Sequence, residues 1–538
     1  MLGGAGAAVV AANGPKANAP EGFKVEMIYA VPKGTEGSWV AVAALPDGRL
    51  VASDQGNKGL YYITPPKIGE EDAEAKVEKM PVDISNAQGL VWAFDSLYVN
   101  RNGGGLWRVT DSDGDGKLDK AEQIVPLNGG DEHGPHAVIV TEDGKGLYII
   151  GGNHTDIPPN LTGSRQPMNW DEDLLLPRQW DARGHARGKL APGGWVARIS
   201  PDGKERVLFS NGFRNQYDIA LNRDGEMFTF DSDMEWDFGM PWYRPTRVNH
   251  VTSGSEFGWR SGTGKWPAYY PDSLPAVVDI GPASPVGVTF GYGTAFPAKW
   301  QDALYILDWT YGTIWAVHLK EDGASYTGTV EEFISGTPLP VTDATVGNDG
   351  AFYFTVGGRG TQSALYRVTY TGDQSIEPSR GKGDPKAAAL RTLRRSLETF
   401  HGVKDSRALA AAWPHLGHED RFIRYAARIA VEAQPVQQWR DKALAESSPQ
   451  ALITAMIALA RQGAKEDLGG VLTALHKIDL ASLSEQQLLE ALRAYQLAFI
   501  RMGKPDEAWR SNVVAKLDKL FPNKSGDANQ ELVQLLVY

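Results

Sequence analysis

A short phrase recurs six times before residue 371 of this chain. Each copy has a turn, often containing Asp-Gly, then an apolar strand, a short break and a second apolar strand with an aromatic residue. Four-stranded propeller blades repeat at about 40–50 residues, and the copies follow that spacing except where insertions intervene. We therefore expect a six-bladed β-propeller rather than two unrelated β-sandwiches. The copies begin at Pro46, Phe94, Glu142, Arg223, Gln301 and Asn348.

After the last copy the composition changes. Residues 372–386 are polar and contain Pro and Gly, which is typical of a linker. From residue 387 onwards apolar residues recur at i, i+3 and i+4, which predicts amphipathic helices. Segments 415–432 and 446–461 look like related units. We therefore expect an all-α, HEAT-like solenoid over 387–538.

Further expectations concern the two ends of the chain. The strand that begins at Phe23 is expected to close the ring against the last blade, which gives a propeller over 22–371. Residues 1–21 hold a small apolar run and a polar linker without a basic segment, so we interpret them as a leader or the remnant of an export signal. The final apolar segment lacks the polar cap of a terminal solenoid repeat, so we expect the natural chain to continue beyond Tyr538.

A twelve-residue acidic loop, Asp111–Glu122, matches the calcium-loop motif. Calcium takes six to eight oxygen ligands from positions 1, 3, 5, 7, 9 and 12 of such a loop, and Gly116 stands at position 6, where the turn is sharp. Because the preceding residues are typical of a strand, we interpret the calcium as structural; an ordinary acidic turn is the alternative. The expected ligands are Asp111, Asp113, Asp115, the carbonyl of Lys117, Asp119 (directly or through water) and Glu122.

Composition excludes several kinds of function. The 538 residues contain no cysteine, which excludes disulfides, cysteine-ligated zinc, iron–sulfur clusters and covalent c-type haem in this chain. The net charge of −12 and the lack of a basic stripe argue against nucleic acid. No apolar stretch is long enough to span a membrane, and no nucleotide-binding or serine-hydrolase motif occurs. Because calcium is plentiful outside the cytoplasm, we expect an exported protein in the periplasm or at the cell envelope.

Histidines follow the acidic loop directly. His133 and His136 precede one strand, while His154 and Asp156 follow the next. A histidine at the start of a strand, on the mouth of a propeller channel, can act as a general base. A structural imidazole is the alternative for each of them.

Arg214 precedes the strand of the fourth copy. Its guanidinium can bind an anion or carbonyl oxygens through two N–H groups, and a structural salt bridge is the alternative. Four acidic residues lie in 231–237, just after that strand. They can hold a second cation or pair with Arg244 and Arg247.

Two long insertions, 154–190 and 234–285, are rich in Trp and Pro. Long loops are uncommon in compact domains unless they are functional. We expect them to roof one end of the channel and to form a pocket there. The alternative is a non-catalytic scaffold for carbohydrate or protein, in which the Trp residues stack on sugar rings.

The segment HGPHAVIVTEDGKGLYIIGG, from His133, resembles a blade of the soluble quinoprotein glucose and sorbosone dehydrogenases. GFRN, which contains Arg214, resembles the G-x-R-N of that family, and the segment 247–259 is similar to a third family motif. The resemblance covers most of 22–370. It implies that His133 is the catalytic base and that Arg214 lies in the site for pyrroloquinoline quinone.

Segments 233–260 and 339–370 resemble, still more closely, exported proteins described as membrane-bound dehydrogenases. Those proteins join such a propeller to HEAT-like helices and commonly to a C-terminal c-type haem domain. This resemblance covers 22–538. It implies that electrons pass to a cytochrome domain or protein that lies outside this chain.

One departure concerns the quinone. The quinoproteins carry two arginines just before the final blade's Asp-Gly strand, whereas Thr337–Asp343 holds none here. Lys265 and Arg359 are the candidates to replace them. The sequence thus predicts a calcium-binding oxidoreductase acting on a sugar or polyol. His133 takes the hydroxyl proton, and a hydride passes to a quinone-like acceptor held partly by Arg214.

Overall fold

The structure is a computed structural model that describes residues 17–70, 73–180, 184–232, 239, 243–379 and 383–538. Six sheets surround a central channel, five with four strands and one with five, so the predicted six-bladed propeller is confirmed. The strands of the first three blades are β1 (Phe23–Ala30), which belongs to the last blade, β2 (Trp39–Ala44), β3 (Leu50–Asp54), β4 (Leu60–Thr64), β5 (Lys76–Lys79), β6 (Ala87–Ala93), β7 (Ser96–Arg101), β8 (Gly105–Thr110), β9 (Lys120–Pro126), β10 (Pro135–Val140), β11 (Leu147–Gly151), β12 (Gly163–Ser164), β13 (Gly194–Ile199) and β14 (Arg206–Phe213).

The remaining blades follow in chain order. Two four-residue helices interrupt the propeller, α1 (Lys33–Glu36) and α2 (Ala298–Gln301). The strands are β15 (Ile219–Leu221), β16 (Met227–Asp231), β17 (Thr246–Val251), β18 (Val278–Gly281), β19 (Pro285–Phe290), β20 (Leu304–Asp308), β21 (Thr313–Asp322), β22 (Ser325–Ser335), β23 (Val341–Val346), β24 (Phe352–Val356) and β25 (Ala364–Tyr370).

The repeated phrase of the sequence marks the second strand of each blade. Nearly every residue of β3, β7, β11, β16, β20 and β24 is buried. These strands are enclosed on both faces because each blade packs against its two neighbours. The apolar clusters accordingly lie between blades, as where Tyr305 and Phe333 of the fifth blade pack against Phe352 of the sixth.

The first strand closes the ring. β1 pairs antiparallel with β25 from Phe23–Tyr370 to Ala30–Ala364, so it forms the outer strand of the last blade. The prediction that the strand at Phe23 completes the final sheet is confirmed.

The two faces of the propeller carry different connections. Antiparallel strands alternate in direction, so the links between second and third strands share one face with the links from blade to blade. The His133 and Arg214 segments lie on blade-to-blade links, and Arg359 follows a second strand. The acidic loop Asp111–Glu122 joins a third strand, β8, to a fourth, β9. It therefore lies on the opposite face.

The C-terminal residues form the predicted helical domain, which packs as two layers. Successive inner helices contact one another, and each outer helix packs on an inner one around a single apolar core. Among the described residues, no helix combines the length and the apolar character that crossing a membrane requires. The inner layer is α3 (Pro385–Glu398), α5 (Arg421–Glu432), α7 (Pro449–Gln462), α9 (Glu485–Met502) and α11 (Gly526–Val537), and the outer layer is α4 (Ala408–Ala412), α6 (Arg440–Ala445), α8 (Leu468–His476) and α10 (Glu507–Leu517).

The inner helices dock on the propeller through buried charges and the described part of the second insertion. Arg493 of α9 binds Asp272 at 2.8 Å, and Arg394 of α3 binds Glu226 at 2.5 Å. Residues 252–277 thus pack against helices, and the expectation that this insertion roofs the channel is wrong for that stretch. Its Trp259 and Trp266 are buried and offer no stacking surface for a sugar.

Candidate active site

A polar cavity lies at the mouth of the channel, where the six inner strands begin. Its enclosed volume is about 90 Å³. A pocket that encloses a whole small-molecule ligand has roughly 300 Å³ or more. A ligand larger than this cavity would therefore extend into the open mouth of the channel. His133, Arg214, Asn215, Trp309 and Arg359 line the cavity together.

His133 is held in one orientation from both sides. Its side chain is 2% exposed, and its Nδ1 donates to Asn153 Oδ1 at 2.5 Å. The hydroxyl of Thr155 donates to the His133 carbonyl at 3.0 Å. A Cβ on Gly152 would lie 2.7 Å from that carbonyl oxygen, so only glycine allows the two segments to approach this closely.

The imidazole of His133 is neutral. Burial, the charge of Arg214 and the neighbouring His154 hold the pKa of His133 well below its ordinary value. Because Nδ1 carries the proton that Asn153 accepts, the lone pair stands on Nε2. This nitrogen is the one that can accept a proton from a bound hydroxyl.

Arg214 lies beside His133 and is anchored by its backbone. Its amide donates to Asp231 Oδ2 at 3.0 Å, and its Nη1 donates to Ser232 Oγ at 3.1 Å. The Arg214 carbonyl accepts the amide of Asn153 at 2.8 Å. Asn153, which orients His133, is therefore hydrogen-bonded to Arg214, which supplies the positive charge.

Asn215 connects the Arg214 segment to His136. Its side-chain Nδ2 donates to the Glu132 carbonyl at 3.0 Å, which leaves its Oδ1 to face His136 Nε2 at 2.9 Å. His136 also meets Gln88 and stacks on Tyr217, and burial lowers the pKa of His136 to about 4. His136 is a structural imidazole that shapes the floor of the site.

Arg359 brings a second cation to the mouth. Its Nη2 donates to Glu132 Oε2 at 2.7 Å, and its guanidinium lies 5.2 Å from the centre of the Trp309 ring. Its backbone adopts a positive φ of 49°, in the left-handed region, and its amide donates to Gln55. The final blade thus supplies an arginine from the β24–β25 loop rather than from Thr337–Asp343.

Lys265, the other candidate for that charge, does not line the mouth. Its ammonium donates to the Gly262 carbonyl at 2.9 Å, and it borders a separate cavity between residues 262–270 and α11. This position follows from the folding of 252–277 against the helices. Asp156 also lies outside the cavity, where it accepts from Asn128 at 2.5 Å.

The acidic segment 231–237 is described only at its start. Asp231 accepts the amides of Arg214 and Asn215, as above, and residues 233–237 lie outside the described residues. Arg247 donates to the Phe257 carbonyl at 2.9 Å, and Arg244 borders the same cavity as Lys265. The possible second cation in this segment stays a prediction.

Part of the acidic loop converges. One carboxylate oxygen each of Asp111, Asp113 and Asp115 lies within 4.8 Å of the others. The two remaining acids point elsewhere: Asp119 accepts the amide and hydroxyl of Ser112, and Glu122 binds Arg108 at 2.9 Å within the β8–β9 ladder. Lys117 extends its ammonium to Glu78, which leaves its carbonyl as the expected ligand. Leu118 is buried and anchors the loop.

Sequence reasoning missed three groups of the site. Glu132 and Trp309 line the cavity, and His185 of the first insertion lies 3.3 Å from His133, between the two Nε2 atoms. His154 also reaches the cluster, with its ring centre 4.5 Å from that of His133. The signal for His185 was available, since the chain has only 10 histidines.

Two carboxylates inside the channel were also unforeseen. Asp218 accepts the Val288 amide and Asp343 accepts the Val42 amide, so each joins its blade to the next. Enclosure in the channel raises the pKa of Asp343 to about 7. Enclosure and the nearby Asp343 carboxyl raise the pKa of Asp218 well above its ordinary value.

No family model and no curated protein match the chain. Among solved structures, the chain is similar to the aldose sugar dehydrogenase of Streptomyces coelicolor in its form with bound pyrroloquinoline quinone. The two are 15% identical, the match covers 65% of this chain and 99% of that one, and the TM-score is 0.43. The quinone domain of a pyranose dehydrogenase from Coprinopsis cinerea is 11% identical over 66% of this chain and 97% of its own, with a TM-score of 0.47. These values are too low to transfer a function.

Proposed function

We propose that the protein is an oxidoreductase that oxidises a hydroxyl group of a sugar or polyol at the channel mouth. One observation carries this proposal: His133 and Arg214 converge in one cavity, and Asn153, which orients His133, donates its backbone N–H to the Arg214 carbonyl. A scaffold has no need for a neutral imidazole whose tautomer is fixed and which stands beside a buried guanidinium.

His133 has the geometry of the proton acceptor. Its Nε2 lone pair accepts the hydroxyl proton, and Asn153 keeps the ring in place as the positive charge develops. Glu132 and Asn215 offer a carboxylate and an amide to the other hydroxyls of a sugar. Arg214 stabilises negative charge next to the oxidised carbon.

The donor set fits a quinone with carboxylate groups. Arg214 and Arg359 supply two guanidinium groups at one mouth, and Trp309 supplies an aromatic face. These residues would hold pyrroloquinoline quinone, which supplies a two-electron acceptor for the hydride of the sugar. A c-type cytochrome domain or protein would then take the electrons, and the protein would act outside the cytoplasm.

Calorimetric titration of pyrroloquinoline quinone into calcium-loaded protein tests the proposal, followed by a sugar screen for dye reduction. We expect one equivalent to bind, and binding to weaken in Arg214→Met. Arg407→Met removes an exposed arginine of the helical domain and serves as the matched control. No binding by the wild type, together with no dye reduction by any sugar, would overturn it.

We also propose that calcium binds Asp111, Asp113 and Asp115. Three carboxylates within 4.8 Å repel one another unless a cation joins them, and the turn at Gly116 has the positive φ of 85° that the motif requires. The site lies on the face opposite the mouth, so its role is structural. Calcium should raise the thermal midpoint of the wild type but not that of Asp113→Asn, while Asp202→Asn, on another loop of that face, should behave as the wild type. An equal shift in all three proteins would contradict this site.

A further inference from the structure

Three histidine side chains meet at the wall of the mouth cavity. His133 lies on the link between β9 and β10, and His154 and His185 lie in the first insertion. One ring nitrogen of each lies within 4.8 Å of the other two. We propose that these imidazoles form a binding site for a divalent transition metal of the zinc class.

The hydrogen bonds made by Nδ1 leave Nε2 as the nitrogen with a lone pair in two of the three rings. His133 Nδ1 donates to Asn153 Oδ1 at 2.5 Å, and His154 Nδ1 donates to Asp131 Oδ1 at 2.9 Å. In both rings the lone pair therefore stands on Nε2. A carboxylate or amide oxygen behind a histidine is the usual arrangement around protein-bound metals, because it fixes the tautomer and raises the basicity of the ligand.

His154 Nε2 is the atom that hydrogen bonding does not explain. It is buried, and no donor among the described residues reaches it. A hydrogen bond across the 3.3 Å between His133 Nε2 and His185 Nε2 would satisfy that pair alone. A cation shared by the three rings satisfies all of them, whereas a buried lone pair without a partner is rare and costly.

The spacing suits tetrahedral coordination. Zinc–nitrogen bonds of about 2.0–2.1 Å place two ligand atoms about 3.4 Å apart. The His133–His185 separation of 3.3 Å already has this value. The ring nitrogen of His154 lies within 4.8 Å of the other two, so a movement of at most about 1.4 Å would complete the set. The fourth position is left for water or for Glu132, whose Oε1 lies 3.3 Å from His185 Nε2.

The ligand chemistry selects the metal. Imidazole nitrogens favour zinc, copper, nickel or cobalt, whereas calcium and magnesium favour oxygen. Asp131, behind His154, and Glu132 supply the negative charge that a dication beside Arg214 requires. The chain therefore carries an all-oxygen loop on one face of the propeller and an all-nitrogen cluster on the other.

This site does not depend on the dehydrogenase proposal, but the two share His133. A metal on Nε2 occupies the lone pair that would accept the hydroxyl proton. Metal occupancy and base catalysis therefore exclude each other, and zinc is an inhibitor of turnover rather than a catalyst of it.

Competition with a chromophoric chelator tests the site on the full chain, stripped of transition metals and resupplied with calcium. We expect the wild type to bind one equivalent of Zn²⁺ tightly, and His154→Ala and His185→Ala to bind it at least 100-fold more weakly. Asp131→Asn should weaken binding about tenfold, through the orientation of His154. His415→Ala removes a half-buried histidine of the helical domain that lies beside His418, and it should leave the affinity unchanged.

Cobalt supplies a second measurement that a change in folding does not mimic. Co²⁺ in the wild type should give the intense visible absorption of a four- or five-coordinate ion, and His154→Gln, folded by circular dichroism, should lose it. Equal zinc affinity in wild type and His154→Ala, or only weak six-coordinate cobalt absorption, would overturn the site. If sugar-dependent dye reduction is found, saturating zinc should abolish it. Tight zinc binding, together with no turnover by the zinc-free protein, would support the metal site and overturn the dehydrogenase proposal.

Discussion

The channel mouth and the joint between the two domains both bury charged or titratable groups, yet they treat them in opposite ways. At the joint several buried charges meet opposite ones: Arg493 lies on Asp272, and Arg501 and Arg461 lie on Asp173. At the mouth, the buried imidazole of His133 faces the neutral amide of Asn153 and the half-buried His154 faces Asp131, yet burial is still the first cause that lowers the pKa of each.

The difference separates side chains that stabilise the fold from side chains that can react with a ligand. Burial alone would raise the pKa of Asp272, but Arg493 and Arg461 bring it down to about 2. A carboxylate so compensated stays ionised and paired at neutral pH. A neutral imidazole keeps its lone pair available to a proton or a ligand. The mouth can therefore bind a ligand reversibly, whereas the paired charges of the joint hold the two domains together.

The largest effect is expected at the mouth. His133→Ala should lower turnover at least 100-fold, because a positioned general base contributes about 10²–10⁴-fold to the rate. Quinone affinity and the thermal midpoint should change little. The measurement is sugar-dependent dye reduction, with His476→Ala, an exposed histidine of α8, as the matched control. A His133→Ala protein with full activity would remove the mechanism.

Breaking the joint should cost stability instead. Asp272→Asn leaves the buried Arg493 without its counter-charge, and removing one partner of a buried pair costs about 3–5 kcal/mol. Denaturant unfolding should show this loss, while turnover per folded molecule stays as in the wild type. Glu507→Gln, in an exposed pair with Arg510, should cause no measurable shift. Equal midpoints for the two variants would contradict the comparison.

A histidine inside the joint permits a test by pH. Burial lowers the pKa of His401 to about 3, and its ring is bound by Ser253 and the Ala426 carbonyl. Because the folded pKa is below the unfolded value of about 6.5, the unfolded chain gains the proton first. This histidine therefore does not reduce the free energy of unfolding above pH 6.5, but it reduces it by about 2 kcal/mol at pH 5. His401→Gln should flatten this dependence between pH 6.5 and 5, as measured by unfolding at each pH; an unchanged slope would contradict it.

The smallest effect is expected at the exposed arginine of the mouth. Arg359→Ala should weaken quinone binding about tenfold, because it removes one of two charge-assisted contacts but leaves Arg214. Calorimetry measures this, and Lys265→Ala should bind as the wild type because Lys265 borders another cavity. If Lys265→Ala has the larger effect, the assignment of the mouth is wrong.

Much of the propeller was predictable from the sequence. Its repeated strands are enclosed on both faces, so they consist of apolar runs, which often follow Asp-Gly turns. The convergence of His133 with Arg214 was predictable from motifs that stand at blade-to-blade links. The place of His185 was not, because residues 154–190 lack periodicity and its contact with His133 joins residues 52 apart. Glu132 directly precedes His133, but no motif marks it as part of the site. The pairing of Arg493 with Asp272 joins residues 221 apart, and no local pattern indicates such partners.

The way the ring closes has a consequence for how the chain acquires its structure. Glu26 on β1 and Arg367 on β25 are 341 residues apart and meet in the last blade. Such a contact is among the slowest to form, because the chain between its partners must first be ordered. Until β25 exists, β1 has no partner and the mouth has no Arg359. During synthesis β1 therefore stays unpaired until β25 has been made. The exposed strand edges of the incomplete ring are the sites at which aggregation competes with folding.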